Sequence, residues 1–275
     1  MIYNKTFQTN YYDLDWNRHV TSRVYEKMAY AARIEILNEL GHPIADILKK
    51  NWKWVSQNCT VRFHSQQYSG SELRVDTEVY RDSNSSYHFH QKIVDKNEGL
   101  VCTIGNKSVL LDENSKPIEI SSIQKTDSDL VTVKLNDRES SWKTLVHSMY
   151  VPFSDMNCFW NLPADSVMKI FEEGRFLFFH EVVDLSLVTS LDTTTFFMGG
   201  EIEILELPEP GSTITLHTWI DELEKIRFYF RQDIVSSDGK VLVKMKDEQL
   251  FIALSKSRPR KAPIEFLEEV KDYCR

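Results

Sequence analysis

Residues 22–40, "SRVYEKMAYAARIEILNEL", place Val24, Met28, Ala32, Ile36 and Leu40 four apart, one apolar stripe along a helix. Gly41 suits the left-handed position just past a helix end, and Pro43 forbids continuation. The spacing predicts a helix over Ser22–Leu40. A second stripe of Val167, Ile170, Phe171, Gly174 and Phe178 predicts a helix from Ser166 to Phe179, with Asp165 as its N-cap. Each helix is preceded by a short alternating stretch, "KTFQTNYY" or "TLVHSMYVPF". Each is followed by strand-like runs rich in β-branched and aromatic residues. In the first half these are "CTVRFHSQ", "ELRVDTEVYR", "SYHFHQKIVD" and "LVCTIGNKSVLLD". In the second they are "GGEIEILEL", "STITLHTWIDEL", "IRFYFRQDIV" and "KVLVKMKDEQLFIALS".

The halves are copies. Asp13 falls on Asp155, an offset of 142 (155 − 13), and the same offset sets Arg33 on Arg175. Gly70-Ser71 falls on Gly211-Ser212, an offset of 141 (211 − 70), as does "QKIV" on "QDIV". A nearly constant offset over so long a span marks a duplicated domain. One helix and four or five antiparallel strands leave the sheet as the only cover for the helix, so the sheet must curl around it. The expectation is an α+β chain of two such domains, residues 1–120 and 147–275, joined by a polar linker over 121–146.

Net charge is −8, which disfavours nucleic acid or an anionic membrane as the main partner. No basic segment followed by an apolar core opens the chain, and no run of ~18 apolar residues occurs. A cytoplasmic protein with no membrane partner is expected. Cys59, Cys102, Cys158 and Cys274 show no CxxC spacing, so they read as reduced thiols rather than a zinc site. No metal or cofactor is expected, because neither a glycine-rich phosphate loop nor metal-ligand spacing is present.

The chemistry concentrates before the first helix. In "YYDLDWNRHV", Asp15, Asn17 and His19 set a carboxylate, an amide and an imidazole two residues apart. Such residues before a helix are common caps, with Thr21 or Ser22 as the cap itself. The duplicate decides between these readings: "FSDMNCFWNL" keeps Asp155 for Asp13 but has Asn157 for Asp15, Phe159 for Asn17 and Asn161 for His19. Asp13 therefore reads as a turn residue, and the other three as the chemical group.

The order of elements, the D-x-D before the helix and the Gly-Ser-x-Leu of Gly70–Leu73 resemble the hotdog-fold thioesterases. "DLDWNRHVTSRVY" is similar to their D-x-D-x-x-x-H-V-x-x-x-x-Y entry to the central helix. "DLDWNRHV" is closest to the D-L-D-x-N-x-H-V of plant and bacterial acyl-ACP thioesterases. The resemblance implies two hotdog domains in tandem, an acyl-ACP or acyl-CoA substrate, and Asp15 as catalytic carboxylate. It also implies a catalytic side chain in the strand after the helix, which alignment through Gly70 places at Gln66 and a one-residue slip at Gln67. One departure is that those enzymes carry D-x-N-x-H in the C-terminal domain, and this chain carries it in the N-terminal one.

Thioester hydrolysis needs a nucleophile or a base for water, and donors for the oxyanion. Asp15 fits the first role. Asn17 and His19 can orient the water, the carbonyl or the leaving thiol. The first amides of the helix, Val20 to Arg23, are expected to be unpaired donors at a positive dipole end. The silent half is expected to supply a wall, its Phe153, Phe159 and Trp160 either shaping an acyl tunnel or packing between the halves. His64 reads as a partly exposed strand residue, and Glu172 and Glu173 as solvent-facing side chains on the second helix. The basic run at 255–263 reads as a solvated strand end more than as a carrier contact. A non-catalytic acyl-thioester-binding protein is the alternative, and a hydroxyacyl-thioester dehydratase ranks last. The tandem repeat can satisfy hotdog pairing within one chain, so a monomer with an internal pseudo-dimer and a homodimer both fit.

Overall fold

A computed structural model describes residues 2–15, 17–128 and 130–275. Two compact units emerge, Met1–Val133 with Phe153–Met168, and Lys134–Pro152 with Lys169–Arg275. The first holds strands β1 (Tyr3–Gln8), β2 (Lys53–Phe63), β3 (Glu72–Arg81), β4 (Ser86–Asp95) and β5 (Leu100–Leu111). Its helices are α1 (Ser22–Glu39) and the short α2 (Ile44–Lys49). The second holds β6 (Leu145–Tyr150), β7 (Thr193–Ile204), β8 (Thr213–Leu223), β9 (Arg227–Ser236) and β10 (Val241–Ala253). Helix α3 (Ala164–Phe178) begins among the residues of the first unit and continues into the second, where α4 (Leu185–Ser190) and α5 (Ile264–Val270) follow.

Strand order is β1-β3-β4-β5-β2 in one unit and β6-β8-β9-β10-β7 in the other, the same antiparallel path twice. Register agrees residue by residue: Thr6 pairs with Arg74, and Ser148 with Thr215. The sequence offsets of 142 and 141 are thus offsets between matching strand positions.

Helix α1 buries Val24, Met28, Ala32 and Ile36 as the stripe predicts, and also Tyr25, Glu26, Ala29, Arg33 and Leu37. It ends as its sequence dictates. Gly41 takes φ 83°, its N–H reaches the Asn38 carbonyl (3.1 Å), and the His42 N–H reaches that of Leu37 (2.8 Å). This is a Schellman closure that only glycine adopts without strain. The second helix departs from expectation. It starts at Ala164, where the Pro163 carbonyl accepts the Ser166 and Val167 amides, so Asp165 lies within the first turn instead of capping it. It also runs on into a π-helical turn, Phe179–Val183.

Trp54 anchors one core, stacked on Tyr87 (5.6 Å between centroids) and edge-on to Phe89 (5.8 Å). Phe178, Phe228, Phe230, Phe251 and Phe266 form the other. The stretch between the units is no free tether. Val131, Val133 and Leu135 alternate inward, all buried. The Val131 N–H donates to His88 Nδ1 (2.9 Å) in the first unit, and the Leu135 N–H donates to Glu203 (2.9 Å) in the second. Among the described residues no helix is long and apolar enough to cross a membrane.

Candidate functional site

Asp15, Asn17 and His19 lie in a tight turn between a short 3-10 helix (Tyr11–Asp13) and α1. Leu14 bridges Val20 across its base. The Asp15 N–H donates to the His19 carbonyl (2.8 Å), the Arg18 N–H donates to the Asp15 carbonyl (2.9 Å), and Arg18 takes φ 66° to close the loop. The Asp15 carboxylate accepts the His19 backbone N–H (3.1 Å). Positions 15 and 19 are thus brought together and Asn17 sits nearer the tip, all three partly exposed.

Asp13 is a turn residue. Its carboxylate accepts the Asn10 N–H (2.9 Å), Asn10 accepts the Tyr12 N–H (2.9 Å), and the Asp13 carbonyl accepts the Thr21 N–H (2.9 Å). That last bond alters the expected oxyanion donors. The Val20 amide is also taken, by the Gln67 carbonyl (2.9 Å), so the first two of the four expected donors are occupied. Thr21 stands at the N-cap position without a side-chain capping bond.

Gln66 is exposed and lies in the connection after β2, not in a strand. The residue that meets the motif is Gln67, buried, bonded to Val20 through its carbonyl and to Ser65 Oγ through its side chain (3.4 Å). Tyr68 sets its ring edge-on to His19 at 5.4 Å. His64 and Glu173 are exposed, and Glu172 is partly so. Arg260 of the basic run donates to the Asp192 carbonyl (3.1 Å), which makes it part of the fold.

The silent turn repeats the first one. The Asn157 N–H donates to the Asn161 carbonyl (3.0 Å), and Trp160 takes φ 59° where Arg18 takes φ 66°. Its amides have become fastenings. Asn157 Nδ2 donates to Asn161 Oδ1 (2.7 Å) and to Tyr30 Oη (3.3 Å), and Asn161 Nδ2 donates to the Trp54 carbonyl (3.0 Å). Phe159 packs in the Trp54 core, whereas Phe153 and Trp160 are exposed.

Behind the turn, α1 carries a buried ion pair, Glu26 with Arg33. Arg33 also donates to Gln91 (2.7 Å), whose side-chain amide donates to Thr77 Oγ1 (3.0 Å) and the Ala29 carbonyl (3.0 Å). Burial raises the Glu26 carboxyl, and Arg33 opposes the rise. The second unit retains Arg175, Gln232 and Thr218 at the matching positions, but Arg175 pairs with Asp247 of β10 (3.0 Å). Asn106 and Met168 stand opposite the two carboxylates in the other copy. Sequence reading missed this swap because each partner is distant or unpaired in the linear alignment.

The family pattern of the thioesterase-like superfamily matches residues 10–128. Among curated proteins none matches the chain by sequence. Three solved structures are similar over nearly the full length. An oleoyl thioesterase from Lactobacillus plantarum has a TM-score of 0.70 at 12% identity, covering 96% of this chain and 97% of that one. An acyl-ACP thioesterase from Bacteroides thetaiotaomicron has 0.68 at 14%, covering 91% and 97%. A 12:0-ACP thioesterase from Umbellularia californica has 0.68 at 13%, covering 94% and 94%. Identity this low speaks for the fold. The chain is a tandem hotdog protein, and its residues 10–128 are similar to the thioesterase-like superfamily.

Proposed function

We propose that the chain hydrolyses an acyl thioester, carried by ACP or CoA, to free acid and thiol, with Asp15 as base or nucleophile. The observation that carries this reading is one turn built twice, with a carboxylate and an imidazole in one copy and two structural amides in the other. One Asp15 oxygen is held by the His19 N–H (3.1 Å), so the carboxylate is fixed at a partly exposed helix entry with its other oxygen available to a water or a carbonyl carbon. Asn17 and the His19 ring are the polar groups beside it. The Ser22 amide, at the positive end of the α1 dipole, is the proposed oxyanion donor. The superfamily match over this same stretch agrees with thioester chemistry.

The test is thiol release from a panel of acyl-CoA and acyl-ACP substrates of graded chain length, with wild type beside Asp15→Ala. The variant is expected to lose at least ~100-fold in turnover, the scale of an essential general base. Undiminished turnover in a folded Asp15→Ala enzyme would sink the assignment. Binding without thiol release by wild type would mark an acyl-thioester-binding protein instead.

A further inference from the structure

The backbone of His19 is fixed on both sides by the motif turn. Its N–H donates to the Asp15 carboxylate (3.1 Å), and its carbonyl accepts the Asp15 N–H (2.8 Å). Neither of these bonds sets the ring, which turns about its own two side-chain torsions. Tyr68 meets that ring at 5.4 Å between centroids and 69° between planes, an edge-to-face contact. The Tyr68 side chain is itself exposed, and its main chain is clamped. The hydroxyl of buried Thr9 donates to the Tyr68 carbonyl (2.6 Å) and accepts the Ser71 N–H (2.9 Å). Ser71 Oγ accepts the Tyr68 N–H (3.3 Å). One residue earlier, the Gln67 carbonyl accepts the Val20 N–H (2.9 Å), directly after His19. An exposed ring on a clamped main chain is thus delivered to the imidazole of the motif.

The duplicate keeps the backbone of this clamp and lacks its chemistry. The Thr9 and Val151 amides reach the Ser71 and Ser212 carbonyls (2.9 Å each), and the Gly70 and Gly211 amides reach the Thr9 and Val151 carbonyls (2.9 Å each). At the matching positions Thr9 is replaced by Val151, Tyr68 by Glu209 and His19 by Asn161. Valine has no hydroxyl and glutamate no ring. The serine hydroxyl has also reversed its part: Ser212 Oγ donates to the Glu209 carbonyl (2.7 Å), where Ser71 Oγ accepts from Tyr68. Threonine hydroxyl, aromatic ring and imidazole are missing together from a loop that otherwise persists, so the loop needs none of them to fold.

We propose that Tyr68 is a positioning residue: carried to the motif turn by the Thr9 hydroxyl, its ring sets the orientation of the His19 imidazole beside Asp15. This rests on reading the turn as the reacting centre. An edge-to-face contact favours one ring orientation several-fold over the others. An imidazole turned away slows the chemical step and leaves substrate binding as it was.

The deciding readout is the ring-proton resonances of His19 at neutral pH, identified by their disappearance in His19→Gln. The Tyr68 ring current displaces them. In Tyr68→Leu they are expected to move toward the positions of an unstructured histidine, and in Tyr68→Phe, which keeps the ring, to stay near those of wild type. Thr9→Val, whose side chain the duplicate loop already accommodates, is expected to move them in the same direction as Tyr68→Leu. Resonances unmoved in Tyr68→Leu overturn the proposal, and resonances unmoved in Thr9→Val overturn the part given to the clamp. On an acyl thioester that wild type cleaves, Tyr68→Leu is expected to lower kcat about fivefold with KM within about twofold, and Tyr68→Phe to recover most of the loss. A kcat unchanged in Tyr68→Leu, or equally low in both variants, would also overturn it. Absence of any thiol release by wild type would defeat the functional reading alone, because the resonances still report whether Tyr68 orients the His19 ring.

Discussion

Asp15 and Asn157 occupy one position in two copies of a turn, and in each the side-chain oxygen accepts the backbone N–H four residues on, 3.1 Å from His19 and 3.4 Å from Asn161. The turn therefore needs an oxygen at this position and not a charge. Asp15→Asn should fold with the wild-type far-ultraviolet spectrum and unfold within about 0.5 kcal/mol of wild type, the range for a site with its contacts kept. Its turnover on an acyl thioester should fall at least ~100-fold. Urea titration and a thiol-release assay on one preparation check both halves of the expectation.

The reverse substitution is not neutral. Asn157 donates through Nδ2 to Asn161 Oδ1 (2.7 Å) and Tyr30 Oη (3.3 Å). Asn157→Asp replaces the amide donor with a carboxylate facing Asn161 Oδ1. A loss of about 1–3 kcal/mol is expected in urea denaturation, with no gain of activity.

The Glu26–Arg33 pair is fully buried, so removing one member strands the other charge. Arg33→Met should cost about 3–5 kcal/mol, and Glu26→Leu with Arg33→Met should recover most of it. A double-mutant cycle in urea measures the coupling; simple additivity would show that the pair does not act as a unit.

Gly174 matches Ala32, yet a Cβ at Gly174 would collide with both Gln232 Nε2 and Leu216 Cδ2. Helix α3 approaches β8 and β9 more closely than a methyl group allows. Gly174→Ala should destabilise by about 1–3 kcal/mol despite alanine's better helix propensity, visible as a lower Tm.

His88 has both ring nitrogens engaged, Nε2 with Asp82 (3.2 Å) and Nδ1 accepting the Val131 N–H (2.9 Å). Burial lowers its pKa below the ordinary histidine value, and Asp82 opposes this. Below the ordinary value the unfolded chain takes up a proton that the folded chain refuses, so this contribution is full above about pH 6.5 and declines as pH falls beneath it. Unfolding free energy measured from pH 7.5 to 5.5 should fall more steeply in wild type than in His88→Gln. Equal slopes would remove His88 from the account.

Periodicity and repetition were enough to place α1 and its glycine closure, the ten principal strands and the duplication, because each follows from local pattern or from residues at fixed offset. The same offset separated Asp13, a turn residue in both copies, from Asp15 and His19. What pattern could not reach were contacts set by packing between distant segments. Gln67 rather than Gln66 meets the motif because the loop after β2 turns one side chain inward and the next outward. Asp165 moved from cap to first turn because Pro163 starts the helix earlier. The stretch over 121–146 reads as polar linker, yet its alternate Val131, Val133 and Leu135 are buried against the sheets, where His88 and Glu203 satisfy its amides. The partners of Arg33 and Arg175, Glu26 and Asp247, were likewise chosen only in three dimensions. A buried charge must find a counter-charge within a few ångströms, and sequence order does not say which strand or helix will offer it.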